Sequence, residues 1–248
     1  MPEAGGMIEL FYYTSPNARK ILIALEELAV PYNLVWTNIS EGDQFRPEFL
    51  RISPNGKIPA IIDQDGPDGA PLAVFESGAI LLYLAEKFGR LLPAAPAARW
   101  EAISWLAWQV SGQGPMCGQA AHFHSHAAKH GISQPYAAER YGTEARRLYG
   151  VLDTHLKDRE WIAGEFSIAD IACYPWTRVA KGQGIALEEF PNVARWSNDI
   201  AARPSAKRRP EDDADAPFKA PQGGYSNRQW EILFGRNAQP EHVKETTP

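Results

Sequence analysis

The stretch MIELFYYTSPNARKILIALEEL, residues 7–28, changes its periodicity half-way along. Met7–Tyr13 is apolar and rich in residues that favour extended chain, and reads as a strand. From Pro16 onward Ile21, Leu22, Leu25 and Leu28 recur at three- and four-residue spacing, which predicts a helix with one apolar face. Ser15-Pro16-Asn17 lies at the change, a cap residue followed by a proline suited to a first helical turn. YNLVWTNI, Tyr32–Ile39, reads as the next strand, so the chain opens strand–helix–strand and predicts a parallel pair. The helix start holds hydroxyls, an amide and two cations. It poses a choice between a plain cap and an anion-binding site.

Further along, SEGDQFRPEF reads as a polar loop and KIPAIID as a third strand. DQDGPDGAP is dense in Gly, Pro and Asp and predicts a hairpin turn into LAVF. ESGAILLYLAEKFG, Glu76–Gly89, reads as a helix stopped by its glycine. Residues 7–89 thus make a β-α-β-β-β-α unit. After the Pro/Ala-rich RLLPAAPAAR linker, residues 97–205 carry helical periodicity. Their clearest helix start is FSIADI, where Ser167 and Asp170 have the spacing of a capping box and Phe166 and Ile171 that of a hydrophobic staple. Residues 206–248 form a polar tail. Its charge run KRRPEDDADAP is expected on solvated surface, and GGYSNRQWEILFGRN is expected to dock through Trp230, Ile232 and Leu233.

The 248 residues are 44% hydrophobic and carry a net charge of -5, which suits a core-forming protein and gives no reason to expect nucleic acid or an anionic membrane as partner. No apolar run is long enough to span a bilayer, and MPEAGGMIEL lacks the features of a signal peptide. Cys117 and Cys173 lie far apart and outside any C-x-x-C, which predicts a reducing, cytoplasmic setting and no dithiol motif.

With these residues in place, the α/β plus all-α organisation resembles the glutathione transferase superfamily over about residues 7–205. QFRPEFLRISPNGKIPAI, FESGAILLYLAEKFG, WLAWQVSGQGPMCGQ and YAAERY look like its Nu class, bacterial enzymes with glutathione-dependent disulfide-bond reductase activity. The resemblance implies a thioredoxin-like N-terminal domain, an all-helical C-terminal domain, a cytoplasmic homodimer, and glutathione as co-substrate with no metal.

It also implies a site. Glu76 and Ser77 would hold the γ-glutamyl end, the glutamate at the ammonium and the serine with the helix N-terminus at the carboxylate. Lys57, Ile58 and Pro59 would meet the peptide-like middle, through a cis Ile58–Pro59 bond, and Gln44 would add a further contact. Ser77 as a mere cap, Pro59 as a strand-opening proline and Gln44 as plain surface are the simpler readings of the same residues.

A glutathione thiol resembles free cysteine, with a pKa of about 8.5. Lowering it by about two units requires roughly 2.7 kcal/mol of preference for the thiolate. A helix dipole contributes about 0.3–1 kcal/mol and a hydrogen bond to a charged group about 1.5–3 kcal/mol. A specific donor is therefore needed. The class pattern puts it at Ser15, where relatives carry threonine, with Asn17 as a second donor. Thr14, Tyr12 and Tyr13 stay open as rivals.

In the helical part, Arg140 of YAAERY matches an arginine directed at glutathione, and a surface ion pair with Glu144 is the alternative. HFHSHAAKH holds four of the six histidines but lacks a metal-binding pattern. With GQGPMCG, whose glycines and Pro115 are expected to interrupt the helix, it is read as wall of a second-substrate pocket. The expectation is an enzyme that ionises the glutathione thiol for disulfide reduction or conjugation of a small disulfide or electrophile. Ether cleavage and a non-catalytic glutathione-binding regulator are the alternatives.

Overall fold

The computed structural model describes residues 8–214, 216–217 and 224–235. The chain divides into two compact units, Leu81–Arg208 and the remainder on either side of it.

The first unit is built on a four-stranded sheet of order β2-β1-β3-β4, comprising β1 (Ile8–Tyr12), β2 (Tyr32–Trp36), β3 (Ala60–Asp63) and β4 (Leu72–Phe75). β1 runs parallel to β2 and antiparallel to β3, which is antiparallel to β4. Helix α1 (Pro16–Leu28) supplies the crossover that a parallel pair demands. Ile21, Leu22, Leu25 and Leu28 are all buried, each full burial contributing about 1.5–3 kcal/mol.

Two predicted strands are shorter than their apolar runs. β2 stops at Trp36 because Asn38 turns the chain: its side chain accepts from Ser40 N at 3.1 Å, and its backbone N–H donates to Asp43 Oδ2 at 2.8 Å. β3 begins only after Pro59, which has no N–H to give a ladder. The polar loop that follows β2 holds a 3-10 turn (Asp43–Phe45) and a short helix, α2 (Pro47–Leu50). The hairpin before β4 depends on Gly66, whose Cβ would lie 2.5 Å from Ala70 O. Helix α3 (Ser77–Phe88) follows β4, and Gly89 ends it with φ 61°.

The second unit is helical and takes in α3 from Leu81 onward, followed by α4 (Pro96–Trp108), α5 (Gly114–Ala121), α6 (Ala127–Lys129), α7 (Pro135–His155), α8 (Ile168–Thr177), α9 (Pro191–Ala202) and α10 (Pro204–Lys207). The capping box at α8 is present. Asp170 is fully buried and accepts from Ser167 N at 3.0 Å, Ile162 N at 3.0 Å and Trp196 Nε1 at 2.8 Å.

Around GQGPMCG the helix does not break. It widens into π turns at Gln109–Gln113 and His122–His126. A Cβ on Gly114 would sit 3.0 Å from Gln109 Nε2, and one on Gly118 3.4 Å from Trp176. These glycines therefore serve close packing.

The returning segment belongs to the first unit. The charge run is not all solvated: Glu211 is 6% exposed and accepts from the Tyr12 hydroxyl at 3.1 Å. Helix α11 (Asn227–Leu233) starts at a Ser226/Gln229 capping box and buries Trp230. Arg228 pairs with Glu41 at 3.2 Å, and Ile232 lies beside Gly42. Among the described residues no helix is long and apolar enough to cross a membrane.

Candidate functional site

The sheet register gathers most of the expected residues at one end of the first unit. Phe11 stands opposite Ala60, Ala60 opposite Phe75, and Tyr12 opposite Trp36. Thr14 and Ser15 leave β1 at that end, Ile58 and Pro59 enter β3 there, and Glu76 and Ser77 leave β4 there. The segment from Thr37 to Gln44 departs β2 on the same side.

At the start of α1, Ser15 is extended (φ -153°, ψ 154°) and its Oγ accepts from Ala18 N at 3.1 Å. That hydrogen bond uses an oxygen lone pair and leaves the hydroxyl proton to be donated outward. The same residue can therefore cap the helix and still have a proton to offer an anion. Thr14, Ser15 and Asn17 are each half-buried.

The tyrosine rivals are differently engaged. Tyr12 is 0% exposed, its hydroxyl donates to Glu211, and burial, reinforced by Glu211, holds its phenol well above the usual tyrosine range. Tyr13 is 7% exposed and shares a 3.3 Å hydrogen bond with Ser40.

Across the sheet, the Ile58–Pro59 bond is cis. Pro59 is buried, Ile58 half-buried and Lys57 exposed, with the Lys57 carbonyl accepting from Ser53 Oγ at 2.9 Å. Glu76 has φ 71°, in the left-handed region, where a side chain with a Cβ is strained by about 1–3 kcal/mol. It is exposed, and Asn55 Nδ2 donates to its carboxylate at 3.4 Å. Ser77 follows, 6% exposed, and its Oγ accepts from Lys20 Nζ at 3.2 Å. A strained backbone, a helix N-terminus and a polarised hydroxyl thus coincide at one point. That combination suits a ligand bearing both a carboxylate and an ammonium.

Gln44 is neither plain surface nor freely open. It is 4% exposed, with Nε2 donating to Ile39 O at 3.1 Å and Oε1 buried without a hydrogen-bond partner. Arg140 is exposed on α7 in the second unit. Glu144, the ion-pair partner weighed for it, accepts its direct hydrogen bonds from Arg147 at 2.9 and 2.7 Å, while the Arg140 charge also helps to lower the Glu144 carboxyl. Burial lowers the pKa of His122 and of His126, which His122 and Lys129 lower further. Among the described residues no group of three His, Cys, Asp or Glu side chains is placed to hold a metal.

Residues 14–87 match the glutathione S-transferase N-terminal domain family, and residues 120–204 match the glutathione S-transferase C-terminal domain family. The chain belongs to the glutathione S-transferase family. The disulfide-bond oxidoreductase YfcG of Escherichia coli is 51% identical over 201 residues, 80% of this chain and 92% of the relative. A glutathione transferase from Pseudomonas putida, solved with one glutathione disulfide per subunit, superposes with a TM-score of 0.78 at 43% identity, covering 82% of this chain and 90% of that one. One from Burkholderia graminis, solved with two glutathione molecules per subunit, gives a TM-score of 0.74 at 45% identity over 81% and 85% of the two chains.

In this glutathione S-transferase the thiols of the protein itself are poor nucleophiles. Cys117 and Cys173 are buried, and burial pushes Cys117 up to about 12. Sequence reading did not single out Lys20 and Asn55, which contact the candidate residues Ser77 and Glu76 in this family member. The signal for Lys20 was present, a cation one helical turn before Ile23 and Ala24 on a buried face. Asn55 had none, because its partner Glu76 is 21 residues away.

Proposed function

We propose that the chain is a Nu-class glutathione transferase that reduces small disulfides with glutathione. Residues 7–89 form its glutathione-binding domain, 97–205 its helical domain, and it acts as a cytoplasmic homodimer. Ser15 donates a hydrogen bond from its hydroxyl to the glutathione thiolate, and Asn17 is the second donor. Glu76 and Ser77 take the γ-glutamyl ammonium and carboxylate. Ile58 pairs through its backbone with the peptide, flanked by Lys57 and Pro59, while Thr14, Gln44 and Arg140 add contacts.

One observation carries this reading. The start of α1 presents a hydroxyl whose oxygen is occupied by Ala18 N, leaving its proton for an anion, and it presents no cysteine. Both reacting thiols therefore come from glutathione. The first thiolate attacks one sulfur of the substrate disulfide, forming a mixed disulfide and expelling a thiolate that takes up a proton. A second glutathione thiolate attacks the glutathione sulfur of that mixed disulfide. Glutathione disulfide leaves together with the second reduced thiol. The relatives solved with glutathione disulfide or with two glutathiones per subunit support this stoichiometry, and the disulfide-bond oxidoreductase name of the Escherichia coli relative supports disulfide chemistry over conjugation.

The test is turnover. Glutathione-dependent reduction of a small model disulfide is expected well above the uncatalysed rate. Glutathione binding without reduction, but with conjugation of an electrophile, would replace the proposed reaction.

A further inference from the structure

Lys20 brings an ammonium into the interior. Its side chain is 1% exposed, and Nζ lies 3.2 Å from the hydroxyl oxygen of Ser77. An ammonium donates and never accepts, so in this contact Ser77 Oγ must be the acceptor. The single Ser77 proton is then directed away from Lys20. Serine hydroxyls usually rotate among local partners, accepting from one backbone group or donating to another. Here the lysine removes part of that freedom.

We infer that Lys20 is a positioning residue for the γ-glutamyl end of glutathione: it holds Ser77 as a donor toward the ligand's α-carboxylate. The inference rests on the glutathione site proposed above. Three observations favour it over a structural lysine. Ser77 opens a 12-residue helix, so its hydroxyl stands beside backbone N–H groups that already favour an anion. Glu76, immediately before it, holds the left-handed backbone of a strained site. Lys20 also stands on α1, five residues after Ser15, about 7.5 Å along the axis. One rigid helix thus sets both the thiol donor and the carboxylate donor.

The test compares wild type, Lys20→Met, Ser77→Ala and the double variant in glutathione binding by calorimetry and in steady-state turnover. Lys20→Met should weaken glutathione binding roughly tenfold and raise its KM in step, with kcat at saturation nearly unchanged. Because Lys20 acts through Ser77, adding Lys20→Met to Ser77→Ala should produce little further loss, less than about twofold. Lys20→Gln, which keeps an N–H donor, should recover part of the affinity and is the second variant should the methionine protein not fold. Unchanged affinity in Lys20→Met, or full additivity with Ser77→Ala, would overturn the inference. Wild type that does not bind glutathione at all would instead overturn the whole proposed site.

Discussion

The hydroxyl of Tyr12 donates to the Glu211 carboxylate across 3.1 Å, joining β1 to a segment 199 residues further along the chain. Both residues are buried, and the phenol's only proton is committed to this bond. Tyr12 is therefore a structural tyrosine despite its place two residues before Thr14. Tyr12→Phe should lower stability by about 1–3 kcal/mol, since it leaves a buried carboxylate short of a donor. Turnover under conditions where the variant is folded should stay within about twofold of wild type. Urea unfolding and a disulfide-reduction assay measure the two effects, and a collapse of turnover would reinstate Tyr12 as the thiol activator.

The protein's own sulfurs should stay silent. Cys117, pushed up to about 12 by burial, and the buried Cys173 have neither the thiolate fraction nor the exposure to react. An Ellman titration of native protein at pH 8 is expected to find essentially no reactive thiol, and to find both after denaturation. Replacing both cysteines by alanine should leave glutathione-dependent turnover in place. Loss of turnover in a folded double variant would require a protein thiol in the reaction.

Asp170 makes the second unit's stability sensitive to pH. Burial raises its carboxyl to about 6, above the usual 3.8, against the opposing hydrogen bonds from Trp196, Ile162 and Ser167. The folded state then binds the proton more tightly than the unfolded state does. The stabilisation that results is fully present below pH 4 and lost as the pH rises through about 6. Over that window the loss should approach about 2–3 kcal/mol. Denaturant unfolding of wild type and Asp170→Asn across pH 4–7 should show the wild-type advantage shrinking as pH increases. A difference that is flat or grows with pH would contradict the assignment.

The sequence disclosed what depends on neighbours in the chain. The apolar spacing of Ile21, Leu22, Leu25 and Leu28 located α1, Gly89 located the end of α3, and the Ser167–Asp170 spacing located a real capping box. The starts of α1 and α3 at Ser15 and Ser77 were legible because helix starts have a local signature, whereas a ligand role for Ser15, Glu76 and Ser77 came through the family resemblance. The cis bond before Pro59 came only through family resemblance, because base rates favour trans. Pairings over long separations left no such mark: Tyr12 with Glu211, Lys20 with Ser77, and the burial of Gln44 in a loop that looked polar. The π turns were hidden for another reason. Glycines and a proline suggested a break, yet glycine also serves close approach, as Gly118 does against Trp176.

In the proposed reaction the Ser15 hydroxyl both caps α1 and holds the glutathione thiolate. The most direct measurement of that dual role is the pH dependence of glutathione-dependent reduction of a small disulfide by wild type, Ser15→Ala and Ser15→Thr. Loss of the donor should lower the rate at neutral pH by roughly 10–100-fold and move the thiol's apparent pKa up toward about 8.5, with only about 1 kcal/mol of stability lost as the cap is removed. Ser15→Thr should keep most of the activity. An alanine variant that remains folded and keeps both the wild-type rate and the wild-type pH profile would contradict the account.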